Sequence, residues 1–487
     1  MAEAGSLVSH RLHMNDPLEQ PKTNEKDRTH GWGLSGWDLT ALLVLGVLLL
    51  TRVWRLQEIP ANVTGDEVTY LNEILRIIHL PDSVNLLTLM GDGSKSGINM
   101  YYMALFVRAF PETQAIQGMR LASGVFSIIS LGAFYLYLRS KVAPGPALCS
   151  LLLLGTNYVY LNLSRSSWFG VGTGLGLTFG LISFLLVERA VSGGKRSLAV
   201  VGGALGGLTF YSYLGTVFLP VASLGYFAYA AFRGRLPLRK GLAQAALFTG
   251  AALLVCLPNL LTIAQNAGAY TLRSRTVYIG QTDDAFYRSM DAGTLAWMQI
   301  TNTVRGFLLL DPAVTGDGPE NARYSPAGES PVDTLTRALF LLAIPTALFI
   351  RRKDLAQPAF AFLIMLAITQ ALTVYPPNYA RGVFALPFIY LLVGVLLDSV
   401  WAVRLTPRYT QLVVVVVVVA ISVWNIQHYF QWGGSVDLAE AREPAIEYSQ
   451  VPLWIATEKL HLKAGLLDLV ITSDEWQQLV GGSGPLR

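Results

Sequence analysis

The chain alternates long apolar runs with short polar or basic segments, and this alternation is its clearest structural signal. Several runs reach the roughly 20 residues that a helix needs to cross a bilayer. The pattern therefore predicts an all-α polytopic membrane protein, a single bundle of about eleven transmembrane helices. The predicted spans are Trp37–Trp54, Met119–Leu138, Pro144–Leu163, Trp168–Val187, Leu198–Tyr213, Thr216–Phe232, Leu242–Ile263, Arg337–Ile350, Pro358–Val374, Val383–Asp398 and Thr410–Gln427.

The segment 56–118, which we call the first outer loop, follows the first span and has no comparable apolar run. Helical periodicity recurs within it in Glu67–Leu80 and in Ile98–Phe110, and both stretches are short and amphipathic. Because such helices favour the water–lipid boundary, we expect them to lie in the interface rather than to cross the membrane.

Three other polar segments delimit the predicted membrane domain, residues 37–432. Residues 1–36 are mixed in charge and poor in apolar residues, which predicts a disordered cytoplasmic tail. Residues 265–334 form a predicted long outer loop, and residues 433–487 a short extracytoplasmic C-terminal tail.

The composition agrees with a membrane protein. Hydrophobic residues make up 52% of the chain and charged residues 14%, against about 25% charged in soluble domains. The net charge of +4 comes from short basic clusters between apolar runs, which argues against a nucleic-acid-binding surface. Cys149 and Cys256 lie inside apolar runs, where they are expected to be packing residues rather than a disulfide or a metal site.

Glycines recur at four-residue spacing inside two predicted spans. Gly172, Gly176 and Gly180 follow this spacing in one span, and Gly203 and Gly207 follow it in the next. Small residues at this spacing let helices approach closely in lipid. No strand–turn–helix context surrounds them, so we expect helix packing rather than nucleotide binding.

The basic residues between spans test the topology. All the short basic loops fall on the same side as the N-terminus if Ile98–Phe110 does not cross, and the positive-inside rule then makes that side cytoplasmic. The residues concerned are Arg139, Lys141, Lys195, Arg196, Arg233, Arg235, Arg239, Lys240, Arg351, Arg352, Lys353, Arg404 and Arg408. The first outer loop, the long outer loop and the C-terminal tail are therefore predicted to face outward.

Four groups of polar residues are predicted at this outer level, where ionisable side chains are costly unless paired or hydrated. We consider them candidates for function. They are the pair Asp66–Glu67, Lys95 with Tyr101 and Tyr102, Arg165 within Ser164–Ser166, and Tyr379 with Arg381 in the short loop 375–381.

These residues suit a reaction on a sugar that is carried by a lipid phosphate. Lys95, Arg165 and Arg381 are candidates for binding the anionic phosphate, because cations stabilise the charge that develops there. Tyr101, Tyr102 and Tyr379 are candidates for contacting the substrate. A carboxylate can take the proton of the attacking hydroxyl.

Structural explanations are open for the same residues. The acidic pair precedes a helical stretch, where carboxylates are favoured by the helix dipole. The cations can anchor helix ends at the lipid head groups. The acidic pair is also a candidate ligand for a divalent cation, since hard cations prefer oxygen; no cofactor is otherwise indicated.

The order of these motifs resembles that of the GT-C membrane glycosyltransferases, in the branch of the protein O-mannosyltransferases and the aminoarabinose transferase of lipid A. The first span is followed by Arg55 and Ile59–Pro60, and the acidic pair then stands in the first outer loop. Similar features follow in order, although the proline pair that relatives often show after the lysine is absent here. They are Lys95–Tyr102, a span opening at Arg120, Ser164–Arg165 and Tyr379–Pro387.

The resemblance covers roughly 37–432 and implies a GT-C-like fold. It also implies that the first acid of the pair, Asp66, is the catalytic base, and that Glu67 is a supporting or metal-binding residue. The implied activity is an inverting glycosyltransferase that moves a sugar from a polyprenyl-phosphate donor to a lipid, glycan or protein acceptor. We expect the reaction on the outer face of a prokaryotic plasma membrane, with the bilayer and the donor lipid as partners.

Other functions are consistent with parts of the sequence. A transporter or lipid flippase would need a charge near the bilayer midplane, and Asp398 is the nearest candidate. A non-catalytic assembly subunit would tolerate substitution of Asp66. A lipid-carrier ligase would be expected to use the 265–334 loop instead.

Overall fold

The computed structural model describes most of the chain between residues 35 and 446. The described residues are 35–61, 63–79, 86–87, 89–90, 95–111, 114–311, 313, 321–326, 328–350, 355–403, 407–435 and 444–446, with only the backbone described at 89–90, 95–96, 214, 269–270, 272–274 and 444–446. The predicted N-terminal tail and most of the C-terminal tail lie outside these residues, and both remain predictions.

Helices dominate the described residues. The first group comprises α1 (Gly36–Val53), α2 (Gly65–His79), α3 (Ile98–Arg108), α4 (Ala115–Arg139), α5 (Pro144–Thr156) and α6 (Tyr158–Arg165). The second comprises α7 (Gly174–Gly193), α8 (Arg196–Leu208), α9 (Leu219–Phe232), α10 (Leu238–Gln265), α11 (Ala267–Val277), α12 (Ala285–Arg288) and α13 (Ala292–Thr303). The third comprises α14 (Thr334–Phe349), α15 (Ala356–Leu366), α16 (Tyr379–Gly382), α17 (Leu386–Trp401) and α18 (Pro407–Gly433).

Shorter elements connect these helices. One-turn π-helical segments occupy Phe169–Thr173, Val304–Leu308 and Ala367–Ala371, and 3₁₀ turns occupy Thr209–Tyr211, Leu214–Phe218 and Asn321–Arg323. In the part of the chain that the structure describes, four short strands form two antiparallel pairs: β1 (Val63–Thr64) pairs with β4 (Pro444–Ile446), and β2 (Leu89–Met90) pairs with β3 (Lys95–Ser96).

The predicted polytopic all-α membrane fold is confirmed, and every predicted span overlaps a helix. Within the described residues, six helices are long and apolar enough to cross a membrane, or seven if α5 and α6, which meet at a bend of 59°, form one span. Three shorter apolar helices are α14, α15 with its π-helical extension, and α17. The break between α5 and α6 falls at Asn157. Its side chain accepts a hydrogen bond from the backbone N–H of Tyr160 and so caps the beginning of α6.

The glycine spacing marks close helix contacts, as predicted. A Cβ at Gly203 would lie 2.2 Å from the carbonyl oxygen of Phe248, and one at Gly207 would lie 2.5 Å from that of Ala252. Both neighbours are on α10, so α8 and α10 pack nearly backbone to backbone. Only residues without a side chain allow this approach.

The first outer loop contains both predicted helices, as α2 and α3. Their apolar faces pack with the start of α4 in a small core of their own, which includes Tyr70, Ile74, Met100, Met103 and Met119. Whether α2 and α3 lie in the membrane interface stays a prediction.

The predicted long outer loop, 265–334, also contains helices, namely α11, α12 and α13. Its last part turns inward, because the side chains of Leu310 and Val332 are buried in the main core. The side chains of Asn157 and Tyr158 donate hydrogen bonds to the carbonyl oxygens of Pro331 and Ser330, respectively. The end of this segment is therefore part of the bundle.

Candidate active site

The acidic pair lies in the first turn of α2, and local hydrogen bonds determine where that helix begins. The hydroxyl of Thr64 accepts from the backbone N–H of Glu67 at 3.2 Å, and Glu67 Oε2 accepts from the backbone N–H of Thr64 at 3.1 Å. This reciprocal arrangement is a capping box, and it satisfies two of the N–H groups at the start of the helix. The T-x-x-E spacing in the sequence is enough to specify it.

Glu67 also forms a buried ion pair with Arg120 of α4. Arg120 Nε donates to Glu67 Oε1 at 2.7 Å and Nη2 donates to Oε2 at 2.9 Å, with the side chains 0% and 1% exposed. Arg120 Nη1 also donates to the carbonyl of Pro60 at 3.1 Å. Both oxygens of Glu67 are thus engaged, which fits the supporting role that the resemblance implies.

Asp66 is in a different situation from its neighbour. Its side chain is exposed, and among the described residues it has no hydrogen-bond or ion-pair partner. It lies in the first turn of α2, where the helix dipole stabilises the charged carboxylate. The two acids therefore differ, because the side chain of Glu67 is buried and holds the helix while that of Asp66 is exposed.

The described residues contain no group of three or more His, Cys, Asp or Glu side chains that could hold a metal ion. At the acidic pair, both Glu67 oxygens already accept hydrogen bonds from Thr64 and Arg120. These residues do not fit a multi-ligand metal centre, and no chemical step below depends on one.

Arg165 does not face open space. Its side chain is fully buried, and its guanidinium donates to the carbonyl oxygens of Thr51, Trp54 and Ile59 at 2.6–2.8 Å. The rings of Phe430 and Tyr429 lie 4.9 and 5.8 Å from its Cζ. This geometry gives Arg165 contacts that hold the backbone, and its predicted contact with a phosphate stays a prediction.

Arg381 and Tyr379 lie on α16, in the segment that joins α15 to α17. Arg381 is 7% exposed, and its Nη1 donates to the carbonyl of Val374 at 2.9 Å. Tyr379 is 1% exposed, and its hydroxyl donates to the carbonyl of Glu329 at 2.9 Å. Burial raises the pKa of Tyr379 above its ordinary value. The hydrogen bond and the burial give Tyr379 a packing role, and its predicted contact with a substrate stays a prediction.

Tyr287 of α12 packs beside this segment and is buried. Its hydroxyl accepts from the backbone N–H of Tyr375 at 2.6 Å. Burial raises the pKa of Tyr287 to about 12, and the positive charge of Arg381 acts in the opposite direction. The long outer loop is in this way joined to the segment that carries Arg381.

Lys95 lies just before α3, and Tyr101 and Tyr102 lie in the first turns of that helix. Lys95 is in β3, where only its backbone is described, so its predicted phosphate contact remains a prediction. The hydroxyl of Tyr102 donates a hydrogen bond to the carbonyl of Gly170, so Tyr102 joins α3 to the π-helical segment before α7. Its ring also packs against that of Phe126, with centroids 3.9 Å apart and planes tilted by 32°. Tyr101 is half-buried and lines a cavity.

That cavity, which we call the α3–α8–α10 groove, has a volume of about 730 Å³ and an almost wholly apolar lining. Its walls come from the segment before β2, from α3, from the end of α8 with its 3₁₀ turn, and from α10. The lining residues are Leu86, Leu87, Ile98, Tyr101, Leu208, Tyr211, Val255 and Pro258. The volume of this open groove lies within the range usual for ligand sites.

Two buried arginines escaped the site prediction. These are Arg120, near the beginning of a predicted span, and Arg52, near the end of another. Arg52 is 1% exposed and donates to the carbonyls of Leu48 and Gly155 and to the hydroxyl of Thr51. The sequence does contain a signal for both residues, because an arginine within an apolar span is rare unless its guanidinium pairs with other groups inside the protein.

Asp398, the acid that a transporter would need near the midplane, has a structural partner. Its Oδ1 accepts from the backbone N–H of Ala143 at 3.0 Å, at the beginning of α5. The Asp398 carboxylate therefore satisfies a backbone N–H group at the beginning of α5.

Comparison with known proteins agrees with the fold. Residues 98–261, less than half of the chain, match the family described as dolichyl-phosphate-mannose-protein mannosyltransferase. ArnT from Cupriavidus metallidurans, solved bound to undecaprenyl phosphate, is 13% identical with a TM-score of 0.51, over 85% of this chain and 78% of that one. No curated protein sequence matches the chain.

A second solved structure is similar to the same extent. AglB from Archaeoglobus fulgidus, an archaeal oligosaccharyltransferase solved with an inhibitory peptide and a dolichol-phosphate, is 13% identical with a TM-score of 0.52. The alignment covers 84% of this chain and 57% of that one. The chain therefore has the GT-C fold that the resemblance predicted.

Proposed function

We propose that this protein is an inverting glycosyltransferase that uses a polyprenyl-phosphate sugar as donor, with Asp66 as the catalytic base. One observation carries the proposal. The first outer loop of a GT-C fold presents an exposed carboxylate at Asp66, which has no partner among the described residues, on a helix start that Thr64, Glu67 and Arg120 hold in place.

The chemistry needs little more than this carboxylate and a held donor. The acceptor hydroxyl oxygen forms a bond to the anomeric carbon while the bond from that carbon to the phosphate oxygen breaks. The hydroxyl proton passes to the Asp66 carboxylate, and the polyprenyl phosphate leaves as the anion. One displacement of this kind inverts the anomeric carbon and requires no covalent enzyme intermediate.

The α3–α8–α10 groove supports a lipid-linked donor. Its lining is apolar, and Tyr101 on its wall lies on the helix that directly follows Lys95. A polyprenyl chain in the groove would bring its phosphate toward this end of α3. The solved structures of ArnT and AglB contain undecaprenyl phosphate and dolichol-phosphate respectively.

Lys95 is the cation that we propose for the donor phosphate. It stands just before α3, the helix that carries Tyr101 on the wall of the groove. Arg381 is a second candidate, with its Nη1 donating to Val374. The predicted outward orientation of the first outer loop leads us to propose that the reaction occurs on the outer face of a prokaryotic plasma membrane.

The test is sugar transfer from radiolabelled polyprenyl-phosphate sugars in membranes that contain the protein. Asp66→Asn keeps the shape of the side chain but removes its basicity, so transfer should fall to background while expression is unchanged. The matched control is Asp283→Asn on the long outer loop, whose side chain is 74% exposed and pairs only at the surface with Arg288. Normal transfer by Asp66→Asn would refute the assignment of the base.

A chelator arm tests the metal alternative in the same assay. Transfer that persists in chelator supports the metal-free mechanism given above. Transfer that stops in chelator and returns with a divalent cation would assign Asp66 to a metal instead. A folded wild-type protein that transfers no sugar from any donor would favour a transporter or an assembly subunit.

A further inference from the structure

Arg165 is joined to the backbone that leads into the candidate active site. It donates from Nη1 to the carbonyl of Thr51 and from Nη2 to those of Trp54 and Ile59. The first two carbonyls belong to the end of α1, where C=O groups lack helical partners. The third belongs to the segment that runs from α1 to β1.

The next carbonyl along this segment is also held by a buried arginine. Arg120 donates to the carbonyl of Pro60 at 3.1 Å and holds Glu67 with its other nitrogens. Consecutive carbonyls, those of Ile59 and Pro60, are therefore held by guanidinium groups from α6 and from α4. Both side chains are fully buried.

The opposite side of Arg165 is covered by α18. The ring of Phe430 lies 4.9 Å from its Cζ, and the backbone N–H of Ala61 donates to the carbonyl of Gly433, at the end of the same helix, at 3.0 Å. The ends of α1, α6 and α18 thus converge on the segment 54–61. That segment connects directly, through β1, to the first turn of α2 and Asp66.

We propose that Arg165 is a positioning residue, which sets the place of Asp66 by holding the segment 54–61, and that it is not a ligand of the donor phosphate. The proposal rests on the proposed function, in which Asp66 is the base. It follows that the position of Asp66 depends on the shape of the guanidinium more than on its charge. The ammonium group of a lysine cannot span the carbonyls of Thr51, Trp54 and Ile59 in the same way.

The experiment compares Arg165→Lys and Arg165→Met with the wild-type protein in steady-state transfer and in binding of undecaprenyl phosphate. A base misplaced by about 1 Å can lower the rate about 100-fold. We expect both variants to lose kcat to about this extent while the Kd for undecaprenyl phosphate is unchanged. If Arg165→Met does not fold, Arg165→Lys carries the test, since it preserves the charge and most of the volume.

A phosphate ligand would behave differently. Loss of a charge-assisted hydrogen bond to the donor would raise the Kd by about tenfold or more, and lysine would retain much of the affinity. That result overturns the proposal, and so does wild-type transfer by either variant. Phe430→Leu, which removes the ring under the guanidinium but keeps its hydrogen bonds, should lose less kcat than Arg165→Lys.

A chemical probe measures the position of residue 66 without any transfer. Asp66→Cys introduces a thiol at an exposed site, and both native cysteines, Cys149 and Cys256, are buried. Its rate of maleimide labelling in membranes should change when Arg165→Lys is added, and should not change with the control Asp283→Asn. An unchanged rate overturns the positioning role. Since labelling needs no substrate, it stays informative even if the wild-type protein transfers no sugar.

Discussion

Replacing Glu67 with glutamine should disable the buried ion pair between Glu67 of α2 and Arg120 of α4 with the smallest change in shape. The Glu67 carboxylate accepts from Arg120 through both oxygens, and from the backbone of Thr64 through Oε2. If the new amide nitrogen takes the Oε1 position, it faces Arg120 Nε at 2.7 Å; at the Oε2 position it faces Arg120 Nη2 at 2.9 Å. In either orientation, two donors confront each other.

The expected loss follows from burial. Arg120 is 0% exposed, so its charge cannot gain water when the carboxylate is lost. Breaking such a pair by removing one partner lowers the free energy of unfolding by about 3–5 kcal/mol. Glu58→Gln is the matched control, because it breaks a pair with Arg55 whose side chains are 48% and 60% exposed. Exposed pairs contribute about 0–1 kcal/mol.

The measurement is an SDS titration of the purified protein in mixed micelles, followed by tryptophan fluorescence. The double variant Glu67→Gln, Arg120→Met should recover most of the loss, because no unpaired charge is then buried. A Glu67→Gln loss no larger than that of Glu58→Gln would refute the reasoning. A double variant no more stable than the single one would refute it as well.

Two further predictions concern backbone strain and the groove. Gly172 has φ +126°, and a Cβ there would lie 2.8 Å from Asn99 Nδ2, so Gly172→Ala should lower the free energy of unfolding by about 1–3 kcal/mol in the same titration. The control, Gly250→Ala, should raise it by about 0.5–1 kcal/mol, because Gly250 is within α10 with nothing inside 4 Å. Leu208→Trp, which fills the α3–α8–α10 groove, should weaken undecaprenyl phosphate binding about tenfold, equivalent to ~1.4 kcal/mol of overpacking. Leu253→Trp, on an exposed face of α10, should leave the Kd unchanged, and equal effects of both would remove the groove from the proposal.

The sequence was sufficient for features that depend on neighbours along the chain. Apolar runs predicted eleven spans, each of which overlaps a helix, because the bilayer requires a fixed length of apolar side chains whatever the rest of the protein does. The start of α2 was also predictable, since Thr64 and Glu67 are three residues apart and cap the same turn. The glycines of α8 predicted a close approach, although not that α10 would be the partner.

The tertiary structure alone decided what the charged groups do. Asp66 and Glu67 are adjacent in sequence, yet one is exposed and the other is paired with Arg120, 53 residues away. Arg165 has the residue type of a phosphate ligand, but its guanidinium is buried and donates to the carbonyl of Thr51, 114 residues away. Helix periodicity reports which face of a segment is apolar. The role of a buried charge depends instead on which distant donors or acceptors the packing brings within about 3 Å of it, and no local pattern encodes that distance.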